Sequence, residues 1–167
     1  LIQAVSILKK EGLHIQLIIA GDGDRRKELE NQVKINNLNA EVMFLGRIEN
    51  NLLRNMLPLF DLFVLASYSE TFGIVFLEAM FAGLPVIGIK NEGIFGLAED
   101  GKQALFAEPK NSKDLALKIK LLITDQILRQ EIARAGQKLV QEKYMLPELM
   151  QRVIRVYEQK SDINDYK

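Results

Sequence analysis

The stretch DLFVLASYSETFGIVFLEAMFAGLPVIGI, residues 61–89, decides how this chain folds. DLFVLAS (61–67) is a short, nearly continuous apolar run, the pattern of a strand buried on both faces. FGIVFLEAMFAG (72–83) follows as a helix, ended by Gly83, with Pro85 placed where a helix cannot continue. LPVIGI (84–89) is a second buried strand. Strand, helix and strand in this order, with apolar rather than alternating strands, form a βαβ unit with its strands parallel.

The same pattern extends outward in both directions. Upstream, LIQAVSILKKEG (1–12) is helical, with Ile2, Val5 and Leu8 on one face and Gly12 as its stop. IQLIIAG (15–21) reads as a strand buried on both faces, and residues 24–37 as a helix capped by Asp24. EVMFLG (41–46) is the next strand, and NNLLRNMLPLF (50–60) the next helix. Downstream, residues 90–108 are loop-rich with a short strand at 104–107, and helices follow over 112–125, 126–144 and from Pro147 to about residue 159. The expected fold is α/β: a Rossmann-like three-layer sandwich with a mainly parallel sheet covered on both sides.

Composition narrows the function. The 167 residues suffice for one domain with a sizeable core, and with 48% hydrophobic and 26% charged residues the chain is globular. Its 22 basic and 22 acidic side chains cancel, which gives no electrostatic case for nucleic acid as a partner. There is no cysteine, so disulfides and thiolate metal sites are excluded. The single histidine, His14, reads as a polar turn residue and argues against a histidine metal cluster or a Ser-His pair. No run of eighteen apolar residues is present to span a membrane. The chain starts in mid-helix, without an initiator Met, and so reads as part of a longer protein.

In open α/β sheets ligands bind beyond the C-terminal ends of the strands, at helix N-termini. Four such ends can be read: GDGD (21–24), GRIEN (46–50), SYSETFG (67–73) and KNEG (90–93). In the third, the backbone N–H groups of Phe72, Gly73, Ile74 and Val75 open a helix and suit a phosphate. Glu70 precedes that helix, and Glu78 lies about 8 Å further along its axis. Two carboxylates cannot both ligate one phosphate, since like charges repel; they suit hydroxyl groups on either side of it. Simpler roles stay open, Glu70 as a helix N-terminal charge and Glu78 as a surface residue, although Glu78 has Leu77, Ala79, Met80 and Phe81 as neighbours.

The segment ETFGIVFLEAMFAGLPVI resembles the E-x7-E signature of family 4 retaining glycosyltransferases of GT-B architecture, the glycosyl transferases group 1. Four more segments are similar in order and spacing: LIIAGDGDRRKELE, VMFLGRI, LPLFDLFVLAS and EDGKQALFAEP. The resemblance covers residues 1 to about 158 and identifies the chain as the C-terminal, donor-binding domain, with residues 159–167 a polar tail. It implies retaining, metal-independent transfer of a sugar from a UDP-, GDP- or ADP-linked donor to a glycan or lipid-linked acceptor, with no cofactor. The implied setting is cytoplasmic, in cell-surface polysaccharide synthesis, with peripheral membrane contact open to the full-length protein. Glu70 is then the catalytic-site contact to the transferred sugar, and Phe72, Gly73, Ile74 and Val75 hold the donor sugar and diphosphate. Glu78 binds the ribose, and Arg47 and Ile48 flank the base.

Three departures accompany the match. The family's first strand and its G-R-x-x-x-x-K-G loop, with the acceptor-binding N-terminal domain, lie upstream of Leu1, so the chain alone is expected to be inactive in transfer. EGIFG (92–96) stands where the family has GGIPE, so Glu92 replaces a glycine and Gly96 a glutamate. Met145-Leu146-Pro147 replaces a Ser-Trp pair. Two other readings are a non-catalytic nucleotide-binding subunit of a split glycosyltransferase and a glycoside hydrolase with flanking carboxylates. The absence of a barrel pattern and the phosphate-ready helix start weigh against the hydrolase.

Overall fold

The computed structural model of the chain describes residues 1–67 and 73–144. Glu70 and Phe72, Met145 to Pro147, the helix expected from Pro147 and the polar tail lie outside the described residues. Within them the elements alternate as expected: α1 (Ile2–Lys10), β1 (Leu17–Ala20), α2 (Arg26–Ile35), β2 (Val42–Gly46), α3 (Asn50–Met56), β3 (Phe63–Val64), α4 (Ile74–Phe81), β4 (Val86–Ile89), β5 (Leu105–Ala107), α5 (Ser112–Thr124) and α6 (Gln126–Lys143).

Every ladder is parallel. The strands form two hydrogen-bonded groups, β1–β2 and β3–β4–β5, rather than one continuous sheet. One edge of β1 and one edge of β3 therefore carry no strand partner among the described residues.

Side-chain alternation along β4 and β5 sorts the core into layers. Val86, Ala104 and Phe106 face one side, where Phe76, Ala79 and Met80 of α4 and Leu139 and Val140 of α6 pack. Ile87, Ile89, Leu105 and Ala107 face the other, against Ala4 and Leu8 of α1 and Leu115, Ala116, Ile119 and Leu122 of α5. A further cluster joins Ile2 and Val5 of α1 to Val33 of α2 and Val42 of β2, with Leu17 and Ile19 of β1 alongside. Tight spots set the layer spacing. A Cβ on Gly88 would come within 3.1 Å of the Phe106 ring, and one on Gly136 would meet the Gln103 carbonyl at 3.0 Å and Met80 at 3.3 Å.

Several local expectations are met. Gly12, at φ 84°, lets the Leu13 N–H donate back to the Leu8 carbonyl and ends α1. Gly83, at φ 83°, does the same for α4, with the Leu84 N–H donating to the Ala79 carbonyl. Beyond these expectations, the Asn111 side chain caps α5, accepting from the N–H groups of Lys113 and Asp114.

Three are corrected. Asp24 does not cap α2, which starts at Arg26 after a residue that gives no side-chain cap; Asp22 instead accepts from the Gly23 N–H within the turn. The helix expected over 50–60 stops at Met56 and tightens into a 3-10 turn over Leu57–Leu59, because Pro58 has no N–H to continue an α-helical ladder. β1 is half-exposed rather than buried on both faces: Leu17 and Ile19 join the cluster under α1 and α2, whereas Met43, paired in register with Ile18, is 54% exposed.

Since a side chain at Gly136 would press on the Gln103 backbone carbonyl and on Met80, Gly136→Val is expected to destabilise the fold by about 1–3 kcal/mol, the range for overpacking. Urea unfolding followed by circular dichroism reads this as a lower midpoint at unchanged slope; an unchanged midpoint contradicts the packing described.

Candidate functional site

The short connection from α4 to β4 runs α4 back alongside the strand it feeds, so the N-terminus of α4 lies toward the C-terminal ends of the parallel strands. Gly73, buried, is the residue that turns the chain there. It sits in the left-handed region at φ 67°, ψ 57°, and its carbonyl accepts from the Phe76 N–H at 2.8 Å. Ile74 and Val75 are the first residues of α4; their N–H groups precede any intrahelical acceptor, and among the described residues no side chain caps them. Ile74 is 66% exposed. A crevice beside this turn is lined by Leu65 and Ser67 after β3, Phe76 of α4, and Ile89, Glu92 and Gly93 at the end of β4. Glu92, the departure from the family loop, thus borders the space that the α4 turn opens onto.

Glu78 lies on the second turn of α4, whose remaining residues are all apolar. Its side chain is 22% exposed. Arg54 of α3 meets it: both the Nε, at 2.9 Å, and the Nη2, at 2.8 Å, reach the same carboxylate oxygen, Oε1. No local pattern signals this pair, because Arg54 and Glu78 are 24 positions apart and belong to different elements; only the tertiary fold brings the two side chains together.

The other strand ends gather around the same side. The Gly21 N–H, after β1, donates to the Gly46 carbonyl at 2.7 Å, so the ends of β1 and β2 are bound together. Arg47, exposed, and Ile48, half-buried, follow Gly46 and lead directly into α3. Arg26 lies over the Phe44 ring at 5.4 Å and pairs with Glu30. Lys90, just after β4, bonds Glu108, just after β5, and this hydrogen bond raises the Lys90 ammonium above its ordinary range. Of the residues expected to form a site, the structure thus places Gly73, Ile74, Val75 and Glu78 on one helix and joins that helix, through Arg54, to the element that follows Arg47 and Ile48. Glu70 and Phe72 lie outside the described residues.

A second, wider groove of about 320 Å³ runs between α1 and α5, lined by Ile7, Leu8, Glu11, Lys113, Ala116, Leu117 and Lys120. It lies on the outer surface of a helical layer, away from the helix start at Gly73, and its lining is mostly aliphatic. Among the described residues no group of three or more His, Cys, Asp or Glu side chains could hold a metal ion, and no helix is long and apolar enough to cross a membrane.

Known proteins with this pattern are consistent with one another. The alpha-D-kanosaminyltransferase of Streptomyces kanamyceticus is 30% identical over 156 residues, 93% of this chain and 40% of that protein. Alr3699/HepE of Anabaena, solved in complex with UDP, superposes with a TM-score of 0.85 at 27% identity over 95% of this chain and 44% of the other. The C-terminal domain of LpcC, a glycosyl transferase group 1 family protein of Francisella tularensis, superposes with a TM-score of 0.78 at 33% identity, covering 87% of this chain and 77% of that domain. This chain spans 36% and 40% of the length of the curated relatives it matches at 32% and 30% identity. The sequence profile of the glycosyl transferases group 1 matches residues 1–139, and the chain belongs to that family, with the α/β architecture of its GT-B members.

Proposed function

We propose that the chain is the donor-binding domain, residues 1–158, of a retaining, hexosyltransferase-type glycosyltransferase, and that it binds a nucleoside-diphosphate sugar at the start of α4. The observation that carries this reading is the α4 turn: a left-handed glycine, two helix-opening N–H groups with no side-chain cap among the described residues, and a half-buried carboxylate one turn further on. Helix-opening N–H groups suit the diphosphate, and a carboxylate suits vicinal ribose hydroxyls. The UDP complex of HepE, similar in fold over nearly the whole chain, supports a nucleotide-sugar donor as the ligand.

On this reading the backbone N–H groups of Gly73, Ile74 and Val75 approach the diphosphate and Glu78 accepts from the ribose. Arg47 and Ile48 border the base, and Glu70 and Phe72 contact the transferred sugar and its phosphate. The anomeric carbon's bond to the diphosphate breaks, the bond to the acceptor oxygen forms on the same face, and the acceptor proton passes to the departing phosphate. Backbone dipoles and cations stabilise the charge that grows there, without a metal ion. The free strand edges leave room for a further parallel strand from the rest of the protein, leading into a glycine-rich loop with Arg and Lys on the phosphates. The acceptor is a glycan or a lipid-linked sugar, held by the other domain at the cytoplasmic side of a membrane, and cell-surface polysaccharide synthesis is the setting.

Calorimetric titration of the chain with UDP, GDP and ADP to millimolar concentration is expected to show binding of one nucleotide. Glu78→Ala is expected to weaken that binding by about 1 kcal/mol or more, the scale for hydrogen bonds to a charged group. No heat with any of the three, from this chain and from a longer protein that adds the upstream Arg/Lys loop, overturns the donor-site reading. Gly73→Ala forces a side chain into the left-handed region at a cost of about 1–2 kcal/mol, and a thermal melt is expected to show that loss together with weaker nucleotide binding. A Gly73→Ala protein as stable as the parent would show that the turn relaxes freely and does not hold the helix start in place.

A further inference from the structure

We propose that Arg54 is the positioning residue for Glu78: by occupying one carboxylate oxygen it fixes the other as the acceptor for the ribose. This rests on the donor-site reading above and adds to it a residue outside the E-x7-E segment.

The geometry is asymmetric in a useful way. Arg54 does not lie side-on to the carboxylate with one nitrogen per oxygen; both its Nε and its Nη2 reach Oε1, at 2.9 and 2.8 Å. Among the described residues Oε2 has no hydrogen-bond partner, and it is not a buried, unsatisfied atom either. One oxygen is thus occupied by a planar, permanently charged guanidinium, through one hydrogen bond and a second close contact, while the other keeps its lone pairs for an incoming hydroxyl. A glutamate left alone on the surface samples many rotamers, and a ligand that needs one of them loses affinity in proportion. The Arg54 fork selects the rotamer before the ligand arrives.

The partner's origin matters as much as its charge. Arg54 stands on α3, the helix that begins directly after Arg47 and Ile48, so the loop proposed to border the base and the carboxylate proposed to hold the ribose are linked through one short helix. Glu78 is mostly covered and surrounded along α4 by apolar side chains, whereas Arg54 is 59% exposed. The exposed partner is free to shift slightly as ligand binds, and the covered one is held.

The test compares UDP with the diphosphate of 2′,3′-dideoxyuridine, which keeps the base and phosphates and lacks both ribose hydroxyls. (If GDP or ADP is the nucleotide bound, its dideoxy analogue takes this place.) In the parent chain UDP is expected to bind about tenfold or more tightly than the dideoxy compound. Arg54→Ala is expected to remove most of that preference while leaving affinity for the dideoxy compound within about twofold, and Arg54→Lys, a point charge without the fork, to restore part of it. A purely structural role for Arg54 would instead lower both affinities together, and that result overturns the proposal. So does tighter UDP binding by Arg54→Ala, which would make the pair a latch that the ribose must break. Glu78→Ala erasing the preference while Arg54→Ala leaves it intact overturns the role of Arg54 alone. Glu78→Ala leaving the preference intact overturns the ribose assignment and this proposal with it.

Discussion

Two-sided burial of β4 is the constraint on which the rest of the structure depends. All four residues from Val86 to Ile89 are buried, and they alternate between a layer built by α4 and α6 and a layer built by α1 and α5. A strand covered on both faces cannot slip by one residue without exchanging its two sets of neighbours, so its register is strongly specified. Gly88 sharpens this further, since the Phe106 and Phe76 rings fill the space where its side chain would stand. With β4 fixed, the brief turn over Gly83 to Pro85 leaves α4 one path back along the sheet. That path sets Gly73 and the first N–H groups of α4 at the strand ends, where ligands of open α/β sheets bind. The position of the candidate site is therefore a consequence of core packing several residues away.

The same packing explains why α4 can carry a single carboxylate among apolar residues. An ionised glutamate with most of its surface covered loses hydration that only hydrogen bonds can replace. Arg54 supplies one from its Nε, together with an ion-pair contact from its Nη2, on one oxygen. At the surface such a pair adds little to stability, and at a site as exposed as Arg54 solvent screening reduces it further. Its value is geometric. The contrast with Lys9 and Glu41 is instructive: that pair also joins separate elements at 2.6 Å, but it ties the end of α1 to the turn before β2, away from the helix start at Gly73.

How far the sequence could be read follows from which interactions are local. Apolar runs such as PVIGI and LFA name buried strands directly, and glycines at positive φ such as Gly12 and Gly83 end helices where they should. Pro58 was a visible signal that α3 would be cut short, but the apolar residues around it outweighed it in the pattern. Asp24 had the right chemistry for a cap, yet the tight turn closed by Asp22 moved the helix start beyond its reach. The half-exposure of β1 depends on whether a neighbouring strand is present, which no residue within β1 encodes. The two candidate glutamates, Glu70 and Glu78, stand out because they share one segment. Arg54 did not, because its partner is distant in sequence and one arginine on a polar helix face resembles any other.

Charge placement along the strand ends suggests how the binding work divides between this domain and the rest of the protein, on the donor-site reading. A nucleoside diphosphate brings two to three negative charges, and a site for it needs cations as well as N–H groups. Here the basic side chains near the strand ends are mostly engaged already: Arg26 with Glu30, Arg54 with Glu78, and Lys90 with Glu108. Arg47 has no ion pair among the described residues, and it borders the proposed base contact rather than the helix start. On that reading the described residues suit the neutral parts of a donor, the base and ribose, and offer the phosphates little beyond the N–H groups at the start of α4, so we expect the cations that neutralise the diphosphate to come from another segment.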